Sequence, residues 1–323
     1  MALRTVFCGT PAFAVPSFES VRKEPDFQIV GVVTQPDRPR GRGQQVHSSP
    51  VKEAALAAAI PVYQPQKIKS DEAYEHFTHL RPDVVVIIAY GQIIPPRLIA
   101  IPRFGWINLH ASLLPKYRGA APINWAILNG EDVTGVTTMQ IDTGLDTGPT
   151  LLEQVVEIGK DETAPELAER LARAGATLMV RTLRKLASGE ITPAPQDHLK
   201  ATFAPPLKKE DGRIDWSRPP LHTYNQIRGL QPWPGAFTTF RGQRCQIWAR
   251  PVPRTELRWS GPSRARQFSP PGTLELLPSE VLVRSGESEA LRLEFVQMEG
   301  RKRITAREFV NGARLAPGER FNG

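Results

Sequence analysis

Cysteine is nearly missing from this chain: Cys8 and Cys245, far apart and without a CxxC neighbour, are the only two in 323 residues. Two such thiols make neither a thiolate zinc site nor a disulfide framework, and they suit a reducing compartment, so a cytoplasmic protein is expected. Long apolar runs are also missing. A strongly apolar run such as "VVVIIA" at 84–89 is far short of the roughly 20 residues a membrane-spanning helix needs, so no membrane partner is expected. The small-residue triplet at 12–14 follows an apolar run broken by Gly9, Thr10 and Pro11, with only Arg4 before it, unlike a secretory signal. A G-x-G-x-x-G fingerprint is lacking too, since "CGTPAFAV" after the first apolar run does not fit it; a dinucleotide-dependent oxidoreductase is disfavoured. His76 and His79 lie three apart on a predicted helix without a completing ligand set, so they read as a solvated face and no metal is expected.

What is present calls for two domains, because 323 residues exceed one ordinary core. Charge divides the chain as well. Residues 1–205 carry 21 Lys and Arg against 21 Asp and Glu, whereas residues 206–323 carry 20 against 12, so the whole net charge of +8 lies in the C-terminal part. A basic domain of this kind is the electrostatic footprint of a polyanion binder.

Three apolar runs, 3–9, 28–35 and 83–91, read as buried strands with helices between them at "PSFESVRK" and "PVKEAALAAAI". That alternation predicts a parallel sheet with helices on both faces, and "GWINLHAS" at 105–112 adds a fourth strand. Strands at 134–142 and 150–158 flank the turn "TGLDTGP". Thr163 and Glu166 form a capping box for a helix whose apolar side holds Leu167, Leu171, Leu178 and Leu186, ending at Gly189. Residues 190–206 are proline-rich and aperiodic, as a linker is. The expected division is therefore 1–189, a linker at 190–206, and 207–323. In the last part, short strands at 235–252, 271–286 and 290–300 suggest a small barrel or sandwich, and a basic small barrel suits an OB-like nucleic-acid binder. Trp216, Trp233 and Trp248 are expected to build its core and hinge.

Chemistry concentrates in two places. In a strand, alternate side chains share a face, so Asn108 and His110 aim at one spot while Ile107 and Leu109 point away. The glycine-rich turn "IDTGLDTGP" presents Asp142 and Asp146 four residues apart; such aspartates commonly cap their own turn, and one beside His110 would instead orient the imidazole. An amide to hold an oxyanion, an imidazole and a carboxylate make a site for acyl transfer to an amine. No activated serine or cysteine is apparent nearby, so direct transfer is simpler than a covalent intermediate. The loop "QPDRPRGRGQQ" spaces Arg38, Arg40 and Arg42 between prolines and glycines as a cationic finger suited to phosphate.

These residues carry a resemblance. "FCGTPAFAVPSFESV" at the start, the arginine loop, "AYGQIIP" at 89–95, "NLHASLLPKYRGAAPINWAI" at 108–127, "DTGLDTGP" at 142–149, "RIDW" at 213–216 and "RGLQPWPGAF" at 228–237 together resemble the methionyl-tRNA formyltransferases, a branch of the 10-formyltetrahydrofolate-dependent formyltransferases. Ala111 and Lys116 stand where relatives often carry glycine and arginine, a small departure. The resemblance implies a Rossmann-like catalytic domain, mostly parallel, followed by an all-β OB-like barrel. It implies Asn108, His110 and Asp146 as the catalytic set: Asn108 on the formyl oxygen, His110 as proton shuttle, Asp146 orienting His110. It places Ser112, Leu113, Leu114 and Pro115 along the folate, with Tyr90, Gly91, Gln92 and Ile93 on the other side of the pterin cleft. Arg38, Arg40, Arg42, Lys208 and Lys209 would contact initiator methionyl-tRNA, with Arg42 foremost. The cosubstrate would be 10-formyltetrahydrofolate, and the enzyme a monomer acting in translation initiation. A formyltransferase for a sugar-nucleotide or other small amine shares the catalytic motif but leaves the basic domain unexplained. A non-catalytic RNA-binding module would bind tRNA without folate.

Overall fold

The structure is a computed structural model that describes residues 2–40, 45–253, 269–286, 289–316 and 318–322. Two compact units emerge: Met1–Ile123, Val133–Ile158 and Glu166–Pro205 form the first, and Asn124–Asp132, Gly159–Pro165 and Pro206–Gly323 the second.

Along the first part of the chain run β1 (Leu3–Gly9), α1 (Val15–Lys23), β2 (Phe27–Val33), β3 (Arg38–Arg40), β4 (Gln45–His47), α2 (Pro50–Ala57), β5 (Val62–Tyr63), α3 (Asp71–Leu80) and β6 (Val84–Ile88). They continue as α4 (Pro96–Ile99), β7 (Trp106–His110), β8 (Arg118–Gly119), α5 (Pro122–Leu128), β9 (Val133–Gln140), β10 (Thr150–Glu157), α6 (Ala164–Ala187) and β11 (Phe203–Ala204). The main sheet has the order β10-β9-β7-β6-β1-β2-β5, parallel from β7 to β5 and antiparallel at β9 and β10. All of β6 is buried, as the near-continuous apolar run of a strand covered on both faces requires. Ser49 and Ser70 cap α2 and α3, accepting from the Lys52 and Ala73 amides at 3.1 and 3.2 Å. Leu167, Leu171 and Leu178 of α6 are fully buried, whereas Leu186 is only half-buried.

The proline-rich stretch beyond α6 does not run free between the units. Ala194 and Thr150 exchange backbone hydrogen bonds at 2.8 Å, and β11 pairs in parallel with β8, so residues 190–205 strap the first unit. An aperiodic sequence reads as a linker because its order comes from backbone bonds to distant partners, which leave no pattern in the side chains.

The second unit holds α7 (Pro220–Gly229), β12 (Phe237–Phe240), β13 (Gln243–Pro251), β14 (Leu274–Leu276), β15 (Val281–Ser285), β16 (Glu289–Met298), β17 (Ile304–Thr305) and α8 (Ala306–Ala313). Its antiparallel sheet has the order β12-β13-β16-β15-β14, with β17 beside β16. Both edges meet one C-terminal segment: Asn322 bridges to Thr239 of β12, and Arg320 to Thr273 just before β14. That closes the sheet into a barrel, which removes its free edges. Of the three tryptophans expected to build the core and hinge, Trp216 lies in the core, 3% exposed and stacked on Phe321 at 5.7 Å. Trp233 is 56% exposed. Trp248 is half-buried on the other face of β13, under the Arg303 guanidinium at 5.1 Å, because the strand's alternation gives the inner face to Cys245, Ile247 and Ala249.

Candidate active site

The catalytic candidates sit where β7 ends, at the carboxyl edge of the parallel strands, the usual place for ligands in open α/β sheets. β7 pairs with β9 so that Leu109 faces Thr138 and His110 faces Thr137. Leu109 packs on Gly175 of α6, where a Cβ would stand 2.3 Å from Leu109 Cδ2. Asn108 and His110 therefore occupy the opposite face of the strand.

His110 is 6% exposed, and its Nε2 lies 2.8 Å from the Tyr117 carbonyl oxygen. A carbonyl only accepts, so Nε2 carries the hydrogen and Nδ1 is left facing Asp146 Oδ2 at 3.7 Å. Asp146 reaches this place from a left-handed backbone, φ +51°, and its Oδ2 also accepts from the Gly119 amide at 2.8 Å. Gly119 cannot be another residue without strain: its φ is +119° and a Cβ would meet the Ala204 carbonyl oxygen at 2.7 Å. Asn108, 9% exposed, has no hydrogen-bond partner for its side-chain amide among the described residues. The two aspartates of the turn have separate duties. Asp142 holds its own turn, accepting from the Gly144 amide and the Thr147 hydroxyl, and only Asp146 faces the histidine.

Neither a serine nor a cysteine nucleophile is available in the described site. The buried Ser112 hydroxyl donates to the Lys116 carbonyl at 2.6 Å, and burial pushes the Cys8 thiol well up and the Cys245 thiol up to about 12. Ser112 instead helps shape the turn after β7. Its carbonyl accepts from the Thr137 hydroxyl at 2.7 Å, and that hydroxyl accepts from the Leu114 amide at 3.2 Å. Leu114 is buried, while Leu113 and Pro115 are half-buried.

Across the strand ends, Tyr90 turns its ring into the core, 2% exposed, where burial drives its phenol strongly upward. Its carbonyl accepts from Gln35 Nε2 at 3.0 Å and the Thr10 hydroxyl at 3.3 Å. Gly91 is exposed at φ +89°, Gln92 is half-buried and accepts from the Ile68 amide at 2.8 Å, and Ile93 is 88% exposed.

The arginine loop is an antiparallel hairpin, with Arg38 of β3 opposite His47 of β4. Asp37 anchors its base: a hydrogen bond from the Lys52 ammonium, with another from Gln64 at 2.8 Å, holds its carboxyl below the usual carboxylate range. Arg38 is exposed, only the backbone of Arg40 is described, and Arg42 lies outside the described residues. Arg38 and His47 line a polar pocket of about 410 Å³ with Thr10, Gln35, Ser49 and Gln92. His47 had no partner legible in sequence, since the hairpin register alone brings it beside Arg38. Lys208 and Lys209 are exposed on the second unit, where Lys209 borders a pocket of about 290 Å³ with Trp233 and Arg244. Among the described residues, no three His, Cys, Asp or Glu side chains are grouped to hold a metal, and no helix is long and apolar enough to cross a membrane. His76 instead stacks on Tyr63 at 4.0 Å, and burial lowers its pKa.

A family model described as formyl transferase matches residues 3–183, and one for the formyl transferase C-terminal domain matches residues 206–314. A methionyl-tRNA formyltransferase of Solibacter usitatus is 54% identical over 99% of this chain and 98% of its own length. One from Koribacter versatilis is 51% identical over 96% and 95%. The chain belongs to the methionyl-tRNA formyltransferase family. Solved structures extend the fold of these formyltransferases further. An N-formyltransferase of Helicobacter canadensis, in complex with folinic acid and dTDP-3-aminofucose, is 18% identical with a TM-score of 0.64 over 92% of this chain and 99% of that one. HypX of Aquifex aeolicus, in complex with tetrahydrofolic acid, is 15% identical with a TM-score of 0.62; 98% of this chain aligns, spanning about half (48%) of HypX.

Proposed function

We propose that this chain transfers the formyl group of 10-formyltetrahydrofolate to the α-amine of methionine esterified to initiator tRNA, in the cytoplasm and in support of translation initiation. The observation that carries the reading is the trio at the end of β7: an Asn108 amide without a hydrogen-bond partner among the described residues, on the strand face of His110, whose Nδ1 faces Asp146 Oδ2 at 3.7 Å. In this reading the amine nitrogen attacks the formyl carbon and the bond from that carbon to the folate nitrogen breaks. The Asn108 N–H donates to the oxyanion that develops on the formyl oxygen. His110, held by Tyr117, takes the proton lost by the amine and returns it to the departing folate nitrogen, while Asp146 steadies the charged imidazole between those steps. Ser112, Leu113, Leu114 and Pro115 line the folate opposite Gly91, Gln92 and Ile93, with Tyr90 contributing backbone. Arg38, Arg40, Arg42, Lys208 and Lys209 meet tRNA phosphates, and no metal takes part.

The test offers the purified chain 10-formyltetrahydrofolate with initiator methionyl-tRNA, with charged elongator tRNA and with an amino-sugar nucleotide. Formyl-methionine released after ester hydrolysis from the initiator alone is the expected result. Formylation of the sugar amine, with none of the tRNA, overturns it.

A further inference from the structure

The carboxylate that faces His110 depends on residues from the far side of the chain. Asp146 has a left-handed backbone and lies in a half-exposed turn, so something must hold it against relaxation. Gln196, from the strap that follows α6, is 8% exposed, and its Nε2 donates to the Asp146 carbonyl at 2.9 Å and the Gly148 carbonyl at 2.7 Å. The amide is fully used. Its Oε1 accepts from Arg118 Nε and Nη2 at 3.1 and 2.7 Å. Arg118 is itself 4% exposed and has no carboxylate partner among the described residues; Nη2 donates further to His198 Nδ1 at 3.1 Å. A buried guanidinium without a counter-ion costs free energy, and a fold retains it where its fork fixes something. Here the fork fixes which way the Gln196 amide points. With Oε1 on Arg118, the NH₂ group must face the two carbonyls of the aspartate turn. The same Arg118 leads into Gly119, whose N–H holds the Asp146 carboxylate. Backbone and side chain of Asp146 are thereby clamped from one dipeptide and one glutamine.

We propose that Gln196, oriented by Arg118, is a positioning residue for Asp146, so that the strap at 190–205 is part of the active site rather than a tether. Gln196 acts only through Asp146 and does not touch the reacting atoms. This inference rests on the formyl-transfer reading above.

The experiment measures formyl transfer to initiator methionyl-tRNA by the full chain carrying Gln196→Ala or Gln196→Glu, with thermal midpoints recorded in parallel. Gln196→Glu keeps an acceptor for Arg118 but sets carboxylate oxygens against the two carbonyls, so it separates the loss of the clamp from the loss of the buried arginine's partner. Both variants should lower kcat roughly tenfold to a hundredfold, the scale expected of a small misplacement, with KM for folate and tRNA nearly unchanged. Combining Gln196→Ala with Asp146→Asn should cost little more than Asp146→Asn alone, because the glutamine acts through the aspartate. Lys185→Ala is the control: on α6, outside the strap, it loses its ion pair with Glu190 at 3.3 Å where the strap begins, without touching the Asp146 turn, and should leave kcat as it was. Wild-type kcat in the folded Gln196→Glu chain, or fully additive losses in the double variant, overturns the positioning role. A wild-type chain that transfers no formyl group overturns the functional reading instead.

Discussion

At the scale of the residue, Asn108 has the clearest task, because its side-chain amide has no hydrogen-bond partner among the described residues and lies on the strand face of His110. Asn108→Ala should lower kcat about 10²- to 10³-fold, the loss typical of one oxyanion donor, while folate binding followed by fluorescence titration stays near wild type. A fall in folate affinity with kcat intact would assign Asn108 to binding instead. The placement of Asn108 and His110 on one face was legible in the sequence because the period of a strand is two and the pattern is short. The separate duties of Asp142 and Asp146 were not. Both look alike in "DTGLDTG", and only the left-handed turn at Asp146 and the Gly119 amide tell them apart. Tyr90 was misleading in another way: "IIAYG" reads as a strand running on to the cleft, yet Ala89 at φ +47° breaks the alternation and sends the ring inward.

At the scale of the element, β7 is held in place from behind. Gly175 gives Leu109 its room, and Leu109 is only 3% exposed, so it cannot swing aside for a methyl group. Gly175→Ala should destabilise the chain by about 1–3 kcal/mol, as overpacking of a core does, and lower kcat through the strand that carries Asn108 and His110. Chemical denaturation and steady-state assays would check the two effects together; unchanged stability would mean that α6 does not bear on the strand. The apolar runs that became β1, β2 and β6 were legible because burial on both faces leaves a continuous signature. β5, β8 and β11 were not, since a two-residue strand contains no period. The hairpin in the arginine loop was hidden by its prolines and glycines, which signal turns more strongly than pairing.

At the scale of the whole molecule, the net charge of +8 belongs to residues 206–323, and that asymmetry was readable from composition alone. Closure of the second sheet through Arg320 and Asn322 was not, because isolated bridges leave no run of residues. If the basic unit meets tRNA phosphates, counterion release makes binding salt-dependent. Affinity for methionyl-tRNA, measured by filter binding, should fall roughly tenfold or more between about 50 and 200 mM salt, while folate affinity barely moves. A tRNA affinity insensitive to salt would remove the electrostatic role of the second unit. The most direct measurement brings every part together: single-turnover transfer from 10-formyltetrahydrofolate to initiator methionyl-tRNA, by the intact chain and by His110→Ala, with both ligands shown to be bound. The intact chain should yield formyl-methionine, and His110→Ala should yield it at least about 10²-fold more slowly. Equal rates in the two proteins would contradict the assignment of transfer to the end of β7.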